Sequence, residues 1–217
     1  MKALVFDVYG TLFDVGSIVE VCRAIVPDPE AFVAGWRAKQ LEYTFWRSLI
    51  SRYADFWQVT TEALWYTLKR YGLMIPEEHE AHLMDAWLRL LPFPEVRAVL
   101  ASLKHHKRII LSNGSPMMLS TLLSNAGLQT EFDAVLSVDT VKTYKPAPQV
   151  YDLAIQHLGV AREDIGFLSA NGFDVVGAKA FGFTVYWVNR TGAVVDELGI
   201  APDATVRSLD EVTLLLR

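Results

Sequence analysis

The chain predicts an α/β fold built on a parallel sheet, with a helical bundle inserted after the first strand. Three observations lead there. Short apolar runs closed by polar or turn residues recur along the sequence. Stretches of helical length and composition separate them. Residues 15 to about 92 instead carry apolar and aromatic side chains at helical spacing.

The first run, ALVF (3–6), ends in Asp7. After the insert come RIILSN (108–113), the mixed FDAVLSVD (132–139), IGFLSAN (165–171) and TVYWVN (184–189). Between them lie PMMLSTLLSNAG, PAPQVYDLAIQHLG and DVVGAKAFG. Strands alternating with helices read as βαβ units, and Gly127 and Gly159 fall where a glycine closes a helix. Within the insert, Trp36, Gln40, Tyr43, Trp46 and Ile50 share helical spacing, as do Leu64, Leu68 and Tyr71. Breaks are expected at Pro27–Pro29, near Thr60 and Thr61, at Gly72–Pro76 and at Leu91–Pro94, which gives about four helices.

Composition narrows the function classes. With 52% apolar and 12% aromatic residues among 217, the chain can bury a sizeable core. Net charge is −5, with both signs interspersed, so neither a nucleic-acid nor a membrane partner is expected. The N-terminus turns polar too early for a signal peptide, and no apolar run is long enough to span a bilayer. Cys22 is the only cysteine, so a reducing cytoplasm is the expected compartment. His79 and His82 have helical spacing, but two ligands without a third read as a solvated helix face.

In open parallel sheets, ligands gather outside the carboxyl ends of the strands. Those ends carry Asp7 and Thr11, then Ser112, Asn113 and Gly114, then Lys145, and finally Ser169, Asn171 and Asp174. Singly, each has a plain reading as a turn residue, a helix cap or a surface charge. Their joint placement at successive strand ends marks a site.

FDVYGTLFD, LSNG, YKP and SANGFD, in this order and spacing, resemble the four motifs of the haloacid dehalogenase superfamily. The resemblance covers essentially the whole chain. It implies a Rossmann-like core, residues 1–14 and 93–217, with helices on both faces, and a helical-bundle cap formed by residues 15–92. Most members of that superfamily are Mg²⁺-dependent phosphatases, which place a second Asp two positions after the nucleophile. Here that position holds Tyr9, whose phenol, with an ordinary pKa of about 10, is a poor proton donor at neutral pH. Ser169, Ala170 and Asn171 stand where a metal site would want acids, so no metal and no organic cofactor are expected. Two carboxylates balanced by Lys145 and one arginine suit a small monoanion. A halide leaves as a stable anion and needs no proton.

AGWRAKQLEYTFWRSLISRYADFW (34–57) is similar to the cap segment of the L-2-haloacid dehalogenases. That similarity implies that Arg37 meets the departing halide or the acid, and that Leu41 and Phe56 line an apolar pocket. Phe173 matches an aromatic that touches the halogen, and Tyr151 matches a supporting tyrosine. Core packing is the competing reading for both.

The implied reaction is attack by Asp7 on C2 of a short L-2-haloalkanoate, forming an ester and releasing halide. Water then hydrolyses the ester to the D-2-hydroxy acid. Lys145 keeps Asp7 ionised, while Asp174, Asn171 and Ser169 handle the water. Thr11 and the N–H groups of Val8–Leu12 hold Asp7 and its oxyanion. Ser112 takes the substrate carboxylate, and Arg37, Asn113 and Phe173 cradle the halide, with Tyr9 and Leu12 beside the substrate. Two other readings stay open: a phosphatase or phosphonate hydrolase of the same superfamily, and a non-catalytic small-acid-binding homologue. The tryptophans of the insert read as its core or as a dimer surface, and a homodimer is expected.

Overall fold

The computed structural model describes residues 1–216. Eight strands occur among them: β1 (Ala3–Phe6), β2 (Phe13–Asp14), β3 (Leu91–Pro92), β4 (Lys107–Ser112), β5 (Ala134–Ser137), β6 (Ile165–Ser169), β7 (Thr184–Val188) and β8 (Ala204–Val206). Six of them form one parallel sheet in the order β5-β4-β1-β6-β7-β8. Every residue of β1 and β6 is buried, so both faces of the sheet are covered. The chain winds outward from β1 through β4 to β5, then crosses back to β6 on the other side. That reversal leaves a crevice at the carboxyl end of β1, where Asp7 follows Phe6.

Four helices fill the insert: α1 (Ile18–Cys22), α2 (Pro29–Leu49), α3 (Phe56–Arg70) and α4 (Glu77–Ala86). Asp28 and Asp55 cap α2 and α3, each accepting from a backbone N–H three residues on. The break expected near Thr60 and Thr61 is not there; α3 runs through both. Their hydroxyls bond back to the carbonyls of Phe56 (2.5 Å) and Trp57 (3.0 Å), which lets threonine sit inside a helix. The true break is at 50–55, where Ser51 has φ 55°. α2 and α3 are locked by the Trp36 indole donating to the Thr60 carbonyl (2.9 Å) and the Gln40 amide donating to its hydroxyl (2.6 Å). The helical stripe that begins at Trp36 leaves the core farther along, since Trp46, Leu49 and Ile50 are exposed.

The antiparallel pair β2–β3 joins the two points where the chain enters and leaves the insert. α5 (Val96–Ser102), α6 (Pro116–Asn125), α7 (Pro148–Leu158), α8 (Gly172–Phe181) and α9 (Leu209–Leu215) complete the structure, with α5 against α9 and α7 against α8. The strand expected over 132–139 is confined to Ala134–Ser137, and residues 138–140 turn away as a 3-10 turn. Gly127 and Gly159 follow α6 and α7 with φ of 61° and 63°, the left-handed closing position. No helix is long and apolar enough to cross a membrane among the described residues.

Candidate active site

Strand register does most of the positioning. Phe6 pairs with Ile110 on one side and Leu168 on the other, so the residues just beyond come to one level. The Asp7 N–H donates to the Leu168 carbonyl at 3.0 Å, and Gly10, at φ 87°, turns the chain tightly after it.

Asp7 is 5% exposed and accepts three side-chain hydrogen bonds. Thr11 Oγ1 donates to Oδ2 at 2.9 Å, Asn171 Nδ2 donates to the same oxygen at 2.8 Å, and Lys145 Nζ donates to Oδ1 at 3.1 Å. Lys145 also donates to Asp174 Oδ2 at 2.9 Å, so one ammonium bridges two buried carboxylates. Tyr151 donates to Asp174 Oδ1 at 2.9 Å. Burial pushes the Asp174 carboxyl up to about 6; Lys145 opposes this and the charge of Asp7 adds to it. Burial alone would lower the Lys145 amine, but the Asp174 and Asp7 carboxylates outweigh it and the net shift is upward.

Thr11 is a junction. Its hydroxyl also accepts from the Ala170 N–H at 2.9 Å, and its carbonyl accepts from Arg190 Nη2 at 2.9 Å. The N–H groups of Gly10, Thr11 and Leu12 do not face a ligand. They bond to the carbonyls of Phe13 and Val8, so these three N–H groups of the Val8–Leu12 turn are taken up within the turn itself. The Leu12 side chain is fully buried. The Asn171 amide reaches Asp7 and the Tyr9 carbonyl (3.0 Å), and Ser169 Oγ accepts from the Asn171 N–H at 3.2 Å. Asn113 Oδ1 receives the Lys145 N–H at 3.1 Å, and Ser112 Oγ receives the Gly114 N–H at 3.1 Å.

Opposite the carboxylates stands an aromatic wall. Tyr9 packs against Phe56 (centroids 5.5 Å) and Trp87 (5.9 Å), and its buried hydroxyl has no partner. Burial raises the Tyr9 phenol far out of the range of a useful acid. The Arg37 guanidinium lies 6.0 Å from the Tyr9 ring centre and 5.9 Å from that of Trp87. Gln40 Oε1, at 2.5 Å, is its hydrogen-bond acceptor, and it makes no ion pair among the described residues. Burial pulls Arg37 down to about 10, while the nearby charge of Asp7 pulls the other way. A desolvated cation without an ion-pair partner is held at a cost. Phe173 meets Phe45 of α2 edge to face at 5.4 Å, bridging sheet and insert, and Leu41 lies half-buried on α2.

Gly114 lies at a strand end that the sequence already marks, but Trp87, Gln40 and Arg190 were not expected in the site. Nothing local in the sequence marks them, because each reaches it through packing between distant segments. A Cβ on Gly114 would stand 2.9 Å from both the Tyr9 hydroxyl and the Leu119 side chain, which leaves no room for a larger residue there.

The profile of the haloacid dehalogenase-like hydrolases matches residues 1–182. The chain belongs to that family. It is 47% identical to an (S)-2-haloacid dehalogenase of Pseudomonas sp. strain YL, over 99% of this chain and 94% of that one. It is 50% identical to an (S)-2-haloacid dehalogenase of Xanthobacter autotrophicus, over 88% and 76%. The solved structure of the L-2-haloacid dehalogenase from Xanthobacter autotrophicus with chloropropionic acid covalently bound superposes with a TM-score of 0.94 at 44% identity, covering 100% of this chain and 98% of that one. The resemblance read from the four motifs and the α2 segment is thus to the right branch of the family, and the Rossmann-like parallel sheet is its fold.

Proposed function

We propose that this hydrolase cleaves the carbon–halogen bond of short L-2-haloalkanoic acids, giving D-2-hydroxy acids with inversion at C2 and without a metal. The observation that carries this reading is the pairing of a fully hydrogen-bonded carboxylate, Asp7, with an uncompensated cation, Arg37, across a wall that offers no acid. The covalent adduct in the Xanthobacter relative supports it.

An Asp7 oxygen attacks C2, and the C–X bonding pair leaves with the halide toward Arg37, Asn113 and Phe173. Ser112 receives the substrate carboxylate, while Tyr9, Leu12, Leu41 and Phe56 give the pocket its apolar side. Asp174 then takes a proton from water, which adds to the ester carbonyl. Collapse breaks the acyl C–O bond, the alkoxide takes up a proton, and Asp7 is restored. Thr11, Asn171 and Lys145 hold Asp7 throughout, Tyr151 holds Asp174, and Ser169 fixes the Asn171 backbone.

A phosphatase reading is disfavoured by the same geometry. Tyr9, buried and far too weak an acid, stands where a phosphatase needs its proton donor, and Ser169 and Asn171 add no charge where a metal would need acids. Residues 1–14 and 93–217 act as the catalytic core and 15–92 as a cap that excludes bulk water. The exposed apolar face of Trp46, Leu49 and Ile50 suits a homodimer contact.

Halide release from L- and D-2-chloropropionate in EDTA tests the reading. Release from the L form alone supports it. Mg²⁺-dependent hydrolysis of an aryl phosphate, with no halide release, overturns it.

A further inference from the structure

The seam between the α2–α3 turn and residues 138–145 contains a second, non-catalytic constellation. The Tyr144 N–H donates to Ser48 Oγ at 3.1 Å, and its phenol donates to the Ala54 carbonyl at 2.6 Å. Its ring stacks on Tyr53 at 5.2 Å and meets Phe56 at 6.1 Å. Tyr53 in turn donates to Asp139 at 2.9 Å, and Lys142, paired with Asp139 at 2.8 Å, lies 5.1 Å over the Tyr53 ring.

Ser51 and Lys142 are the non-glycine residues with positive φ, at 55° and 53°, among those described. They stand one on each side of this seam. L residues adopt that conformation at a cost, and it persists only where surrounding contacts over-determine it. Those contacts are the ones Tyr144 and Tyr53 make across the seam.

The residue after Tyr144 is Lys145. Its N–H is held by Asn113 at 3.1 Å, and its amine bridges Asp7 and Asp174. Tyr144 is 1% exposed, so neither its phenol nor the Ala54 carbonyl can turn to water while the seam is closed. We propose that Tyr144 is a positioning residue, the latch through which seating of residues 48–56 on the sheet sets Lys145 between Asp7 and Asp174. The reaction that Lys145 serves rests on the dehalogenase reading; the latch itself does not.

Site-resolved amide hydrogen exchange on substrate-free Tyr144→Phe tests the latch. Loss of one buried hydrogen bond is worth about five- to tenfold in the opening equilibrium. The amides of residues 48–56 and of Lys145 are expected to exchange faster together by that factor, with β1 and β6 unchanged. The closed state still dominates after a shift of that size, and apparent affinity falls only with the closed fraction, so KM and kcat for L-2-chloropropionate are both expected to stay within about twofold of the parent. Ser48→Ala, which leaves Tyr144 intact, is expected to reproduce the exchange effect and serves if the first variant does not fold. A Lys145 amide as protected as in the parent while 48–56 opens, a uniform rise that includes β1, or a fall in kcat at constant KM would each overturn the latch. Absence of halide release from the parent would defeat the dehalogenase reading alone, because the exchange result stands without substrate.

Discussion

Lys145 Nζ lies 2.9 Å from Asp174 Oδ2, in an ion pair from which solvent is almost wholly excluded, and 3.1 Å from Asp7 Oδ1. One cation therefore serves two carboxylates, the proposed nucleophile and the proposed base. Removing it leaves two buried anions facing each other. Lys145→Met is expected to lose at least about 10³-fold in halide release and about 3–5 kcal/mol of stability. Adding Asp7→Asn in that background should return part of the stability and none of the activity. Chemical denaturation of both variants checks this.

The pH dependence follows from Asp174. Its carboxyl is raised from the ordinary 3.8 to about 6, so the base form needed for ester hydrolysis fills in as pH rises through that value. Turnover is expected to show an acid limb with an apparent pKa near 6, set by Asp174. Between about pH 4 and 6 the folded state holds a proton that the unfolded state has lost. The contribution of Asp174 to stability is therefore full below that window and is lost as pH rises through it. A pH–rate profile on L-2-chloropropionate reads the first effect.

Arg37 is desolvated and makes no ion pair among the described residues, and the proposed function gives it the departing halide. Arg37→Met is expected to cut halide release by about 10²–10³-fold, the scale for losing one preorganised charged donor. Thermal stability should be equal or higher, since a poorly compensated cation is removed. Inhibition by bromide, measured with parent and variant, should weaken in parallel.

Tyr9 offers the site a phenol in place of an acid. Its buried hydroxyl has no partner, so Tyr9→Phe should be neutral or stabilising, and halide release should stay within about threefold. Gly114→Ala pushes a methyl to 2.9 Å from that hydroxyl and from Leu119, and is expected to cost about 1–3 kcal/mol. In the Tyr9→Phe background the penalty should shrink, and a double-mutant cycle on unfolding free energies measures it.

The sequence announces this site unevenly. Asp7, Ser112, Ser169 and Asp174 are legible because continuous apolar runs end beside them, and buried parallel strands produce such runs by necessity. Arg37 is invisible to that logic and was reached only through likeness of the α2 segment to a family. Thr60 and Thr61 misled because side-chain bonds to the preceding turn offset their poor helix propensity. β2 and β3 are two residues each and pair across a long separation, Phe13 with Pro92 and Asp14 with Leu91, so no local pattern can show them. Trp87 and Arg190 join the site by the same kind of long-range packing.

The central claim is that Asp7, not water, attacks carbon. A single turnover with enzyme in excess, run in ¹⁸O-water with L-2-chloropropionate, separates the two. The account predicts ¹⁸O in the Asp7 carboxylate and unlabelled D-lactate, since water attacks the ester carbonyl. Label in the lactate and none in Asp7 would contradict it.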